Sequence, residues 1–98
     1  MHVVLLKFSN NRAQAGEHMP GHKAWLQQGF DEGFFVAAGS LHGGQGGCLF
    51  VQELDTARLT QRLAEDPFVA HDVVQVEIVD VALNKADPRL SFLLASPA

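Results

Sequence analysis

Four short runs of β-branched and aliphatic residues, interrupted by two helical stretches in a fixed order, constrain this 98-residue chain more than any other feature. Val3 to Phe8 is the first run, closed by Ser9-Asn10-Asn11, and reads as a strand with a polar stop. Phe34 to Leu41 and Cys48 to Leu54 read as the second and third. The fourth is Val73 to Val81, where Val74, Val76 and Ile78 alternate with Gln75 and Glu77. Between the second and third lies His42-Gly43-Gly44-Gln45-Gly46-Gly47, expected to be a flexible hairpin loop. No helix is expected after it and no Gly-Lys-Ser/Thr appears, so it is not a phosphate-binding loop.

The helical stretches follow the 3.6-residue period. Ala15, His18, His22, Trp25, Leu26, Gly29 and Phe30 share one face, with Glu17, Lys23, Gln27 and Asp31 on or toward the other. Pro20 has no N–H to donate to the preceding turn, so the main helix is expected to begin near it, after a looser turn, and to stop at Gly33. A second helix is expected from a cap at Asp55 or Thr56 through Glu65, with Leu59 and Leu63 one turn apart, until Asp66-Pro67-Phe68 breaks it.

The resulting order, β-α-β-β-α-β, matches the ferredoxin-like α+β plan: a four-stranded antiparallel sheet with two helices on one face. The first strand alternates Val4, Leu6 and Phe8 with Val3 and Leu5, and the third alternates Cys48, Phe50 and Leu54 with Leu49 and Val51. Both faces are therefore apolar, although two helices cover only one. A solvated face would read polar, so a second copy of the chain is expected against the other, giving a homodimer through sheet faces. Residues 1–83 read as the domain. Residues 84–98 read as an apolar tail, carrying Leu90, Phe92, Leu93 and Leu94, packed on the domain or on its partner.

Charge narrows the function classes. Seven Lys and Arg stand against eleven Asp and Glu, a net charge of −4, and no basic cluster is present to neutralise a row of phosphates. Nucleic acid is not an expected partner. With one cysteine, Cys48, there is no disulfide framework and no cysteine-built zinc site. The first residues lack the basic start and small-residue cleavage site of a signal peptide, and their apolar run is too short to span a membrane. A cytoplasmic location without membrane association is expected.

In this topology the start of the first helix, the end of the second strand and the end of the second helix lie at one end of the sheet. His22, Ser40 and Asp66 are therefore expected to converge there, with the glycine-rich loop closing over them. Imidazole exchanges protons near neutral pH, and a neighbouring carboxylate orients it, so His22 and Asp66 form a candidate acid–base pair. Read separately, His22 fits equally a ring packed beside Trp25, and Asp66 a turn carboxylate before Pro67. Ser40 lacks a nucleophile elbow and reads as a substrate-binding hydroxyl. Trp25 and Phe68 read as core residues that wall an apolar pocket. His18 and His22 have metal-pair spacing, but no third ligand follows, and neither metal nor cofactor is called for. His2, His42 and His71 are expected to face solvent, with His42 flanking the glycine loop.

Pro20-Gly21-His22 with Trp25-Leu26, Asp31-Glu32-Gly33, Ala38-Gly39-Ser40 and Asp66-Pro67-Phe68 stand in an order that resembles the YciI-like (YCII-related domain) family over residues 2–83. That resemblance implies a ferredoxin-like dimeric α/β-barrel fold and an active site built on a His–Asp pair, here His22 and Asp66. It also implies lyase chemistry of the dehydrochlorinase kind in some members. The expected function is a cofactor-free acid–base enzyme, a lyase or isomerase, acting on a small molecule. The alternatives are a dimeric small-ligand-binding or regulatory module without catalysis, and a monooxygenase or isomerase of the wider barrel group.

Overall fold

A computed structural model describes residues 1–94; the last four residues of the apolar tail lie outside the described residues. Strand β1 (His2–Phe8) runs up the middle of the sheet. It pairs antiparallel with β3 (Gly46–Val51) on one side and β4 (Val74–Asp80) on the other. Strand β2 (Phe35–Leu41) adds to the far side of β3, giving the order β2-β3-β1-β4. Helix α1 (Ala15–Asp31) joins β1 to β2, and α2 (Thr56–Ala64) with the short α3 (Pro67–Ala70) joins β3 to β4. The topology is ferredoxin-like.

The barrel is overturned. β2 and β4 are free edges of an open sheet, and no pairing closes one onto the other among the described residues. Closing a sheet needs enough strands for tilt and stagger to bring its edges together, and four strands in one chain are too few.

Alternation divides the sheet into two faces. Val4, Leu6, Leu49, Val51 and Val74 point inward, where they form one core with Trp25, Phe35, Leu59, Leu63, Phe68 and Val73. Val3, Leu5, Cys48 and Phe50, paired across β1 and β3, lie on the outer face, half-buried. Val79 beside Val3 is 41% exposed.

Local chemistry sets the element ends, and they depart from the sequence reading in several places, among them β3, which stops at Val51 rather than Leu54, and α3, which forms directly after Asp66. Asp55 caps α2, its carboxylate accepting from the Arg58 N–H at 2.8 Å. Gly33, at φ +82°, takes the left-handed conformation that follows α1. Helix α1, however, starts at Ala15 and runs through Pro20 rather than beginning at it. Pro20 offers no N–H to the carbonyl of Gly16, and Gly16 is exposed, so the missing intrahelical bond falls on the solvent side of the helix where it costs least. Gly46 and Gly47 belong to β3 rather than to the loop; at Gly46 (φ +132°) a Cβ would lie against the Leu6 carbonyl, so only glycine continues the ladder there. His2 is buried rather than solvent-facing, its Nε2 lying 3.3 Å from Thr56 Oγ1. It occupies the central strand and shares the inward face of Val4 and Leu6.

The tail runs out from β4 to a 3₁₀ segment (Pro88–Leu94) whose Leu90, Phe92 and Leu94 are exposed. No helix among the described residues is long and apolar enough to cross a membrane.

Helix α1 seats closely on β2 because Gly29 has no side chain: a Cβ there would collide with the Phe35 ring. Gly29→Ala forces that buried ring aside, and overpacking of this kind costs about 1–3 kcal/mol. Denaturant melts should show the loss as a lower midpoint with unchanged slope; an unchanged midpoint would show that Phe35 has room to turn.

Candidate functional site

The site begins with a carboxylate that does two things at once. Asp66 follows α2 in an extended conformation and caps α3, its Oδ1 accepting from the Phe68 N–H at 3.0 Å, with Pro67 at the first helical position. The same Oδ1 accepts from His22 Nδ1 at 2.8 Å. Asp66 is wholly buried, and its Oδ2 has no protein partner.

Ring stacking also holds the imidazole in place. The His22 ring lies parallel to Phe68 at 4.0 Å and 4°, with Trp25 on the next turn at 6.2 Å. One turn earlier, His18 stacks on His71 at 4.0 Å and 7°. Histidines four apart on α1 thus take different partners, both from the segment Asp66–His71. Among the described residues, no group of three or more His, Cys, Asp or Glu is placed to hold a metal ion.

A cavity of about 350 Å³ opens in front of the His22 ring. Helix α1 contributes Met19, His22, Lys23 and Leu26 to its wall, an i, i+3, i+4, i+7 stripe. Ala38, Gly39 and Ser40 come from β2, Gly46 and Gly47 from β3, Leu6 and Phe8 from β1, and Phe68 and Val74 from the second crossover and β4. The cavity exists because α1 covers the start of β2 and leaves its end bare, so that Ala38 and Ser40, on the helix side, are exposed.

His22, Ser40 and Phe68 therefore all line one cavity, with Asp66 bonded behind the imidazole and outside the lining. Trp25 is elsewhere: buried under α1, its Nε1–H donates to the Arg62 carbonyl at 3.0 Å, and it supports the His22 ring without lining the cavity. His42 does not line it either. Lys23, assigned to the opposite face of the helix by periodicity, is on the rim. It stands at i+4 from Met19 and i−3 from Leu26, on the cavity stripe at the margin of the core face, and the Met19/Leu26 pair is the signal in the sequence that places it there.

The approach of α3 to α1 that closes the His22–Asp66 bond depends on Gly21, where a Cβ would lie 2.9 Å from Pro67 Cγ. Gly21→Ala gains up to about 1 kcal/mol of helix propensity but pushes the rigid Pro67 ring, and α3 with it, away from His22. The hydrogen-bonded Nδ1 proton of His22 should disappear from the low-field NMR spectrum of this variant. Its retention would show that α3 yields without opening the pair.

No protein-family profile matches the sequence, nor does any curated protein. The fold is shared with the solved structure of 5-chloro-2-hydroxyhydroquinone dehydrochlorinase from Burkholderia phenoliruptrix in complex with 2,5-dihydroxybenzoquinone. The TM-score is 0.68 at 12% identity, over 84% of this chain and 94% of that one. At that identity the likeness shows the fold.

Proposed function

We propose that the chain is an acid–base enzyme of lyase or isomerase type that acts on a small molecule in the His22 cavity with its own side chains. The observation that carries this reading is the 2.8 Å bond from a cavity-wall imidazole to a fully buried carboxylate. With Nδ1–H donating to Asp66, Nε2 keeps the lone pair and serves as the base. In an elimination, a substrate proton moves to Nε2, its bonding electrons form the new double bond, and the leaving group departs with its own pair. In an isomerisation, the imidazolium returns the proton at another carbon. Asp66 balances the imidazolium in either case and holds the ring still. Ser40 binds a polar group of the substrate, and Phe68 gives the ring an apolar flank. The fold shared with a dehydrochlorinase and the resemblance to the YciI-like family both support elimination as the first reaction to try.

A second reading, a binding module whose pair is structural, is favoured by one observation: Asp66 also caps α3. The readings separate with 5-chloro-2-hydroxyhydroquinone as the probe and released chloride as the signal. His22→Ala should lower the rate by about 10²–10⁴-fold, the range of positioned acid–base groups. Asp66→Asn keeps an amide oxygen for the Phe68 N–H, so it should melt within a few degrees of the parent and still lose about 10²-fold or more in rate. A parent chain inert toward the probe, together with a large fall in melting temperature for Asp66→Asn, favours the structural pair.

The outer face supports a homodimer. Val3, Leu5, Cys48 and Phe50 with exposed Val79 form an apolar centre that the helices of the same chain do not reach. Two copies pair through these faces, and Leu90, Phe92 and Leu94 of the tail pack at the edge of that contact. Sedimentation equilibrium at micromolar concentration should give twice the chain mass, and Phe50→Asp the single mass. A monomeric parent sinks the dimer.

A further inference from the structure

The walls of the cavity are one-sided in charge. His22, Lys23 and Ser40 are the polar side chains that line it, and no carboxylate does. Asp66 is spent on His22 and lies behind it. Lys7 is held by Glu77 at 3.2 Å, and Arg62 is paired with Glu32. Lys23, like Arg12, Arg58 and Lys85, has no acidic partner among the described residues, and of these four it is the one that lines the cavity. An unpaired ammonium beside the imidazole, over a wall of Met19, Leu26, Phe8 and Val74, is a local exception to the charge of the molecule. A lysine suits this place: its stem covers apolar surface while its head stays at the wet rim as a point charge.

Resting on the reading of this cavity as the active site, we propose that Lys23 determines specificity there, and that the molecule bound is a single-ring organic anion. Its carboxylate or ionised hydroxyl pairs with the Lys23 ammonium, and its ring fills the apolar part of the wall. At about 350 Å³ the cavity lies at the small end of ligand pockets, which limits the guest to about one ring with its substituents. An electron-rich anion is also the form in which a hydroxylated ring most readily expels a leaving group, so recognition and elimination favour the same species.

Gly47 supplies an internal control. It pairs with Leu6 and Ser40, shares the inward face of Leu49 and Val51, and has ordinary backbone geometry; a Cβ there would meet only the Gly39 carbonyl, at 3.4 Å. Gly47→Leu therefore sends a side chain into the cavity from a strand able to carry it.

The test uses benzoate and benzamide, alike in shape and different in charge. It reads the fluorescence of Trp25, the chain's one tryptophan, whose ring lies 6.2 Å from His22. The parent should bind benzoate about ten-fold or more tightly than benzamide at low salt. Lys23→Gln should abolish that preference while leaving benzamide affinity as it was, and Gly47→Leu should abolish binding of both. Equal affinities in the parent, or a preference that survives Lys23→Gln, overturn the role of Lys23 while leaving the cavity a ligand site. Failure of both probes to bind, or binding that survives Gly47→Leu unchanged, overturns the proposal together with the reading of the cavity on which it rests.

Discussion

A carboxylate with no solvent contact is the constraint around which this fold is arranged. Burial of a charged group is costly unless donors replace its hydration. Asp66 has two donors, the Phe68 N–H and His22 Nδ1, both on Oδ1. One comes from its own helix and the other from α1, so a single buried oxygen joins the second crossover to the first, beside the Trp25–Arg62 hydrogen bond and the His18–His71 stack. Other features follow from that attachment. Pro67 must occupy the first helical position of α3, where a missing N–H costs nothing. Gly21 must lack a side chain so that Pro67 can approach. Phe68, next in sequence, then falls against the face of the imidazole.

The same arrangement explains why a small chain has a cavity at all. Helix α1 sits tightly where Gly29 meets Phe35, and its buried Trp25 is hydrogen-bonded to α2. Toward its N-terminus it is drawn to α3 by His22 and His18, on the β4 side of the sheet. The end of β2, on the opposite edge, is left without a helix above it. Ala38, Gly39 and Ser40, with Gly46 and Gly47 beside them, make that floor from little side-chain volume. The gap results from pulling one helix toward its polar anchor.

Much of this was legible from residue order. The strands could be read because each alternates on a period of two, and the meeting of His22, Ser40 and Asp66 at one end because topology fixes which element termini are neighbours. The illegible parts have separate physical causes. Pro20 was read as a helix start because propensity does not register that an exposed Gly16 carbonyl needs no intrahelical donor. The glycine run was read as loop throughout, although the sheet enforces Gly46 through a backbone contact with Leu6, 40 positions away. His2 was placed in solvent because a terminal histidine carries no sign that it begins the central strand. Lys23 reads as a solvent-face residue because its charge sets it apart from the core stripe, although Met19 and Leu26, at i−4 and i+3, put it on the stripe that lines the cavity. The barrel came from resemblance alone, and nothing in four strands closes it.

The outer face and the cavity are one residue apart on the strands that form them. Leu5 lies outside and Leu6 lines the cavity; Cys48 lies outside and Gly47 lines it. In a pleated strand neither neighbour moves without the other, and a close-packed layer transmits displacement rather than absorbing it. The homodimer proposed above would therefore place its contact one pleat away from the cavity, so that burying Cys48 and Phe50 and shaping the surface presented by Leu6 and Gly47 are a single packing problem.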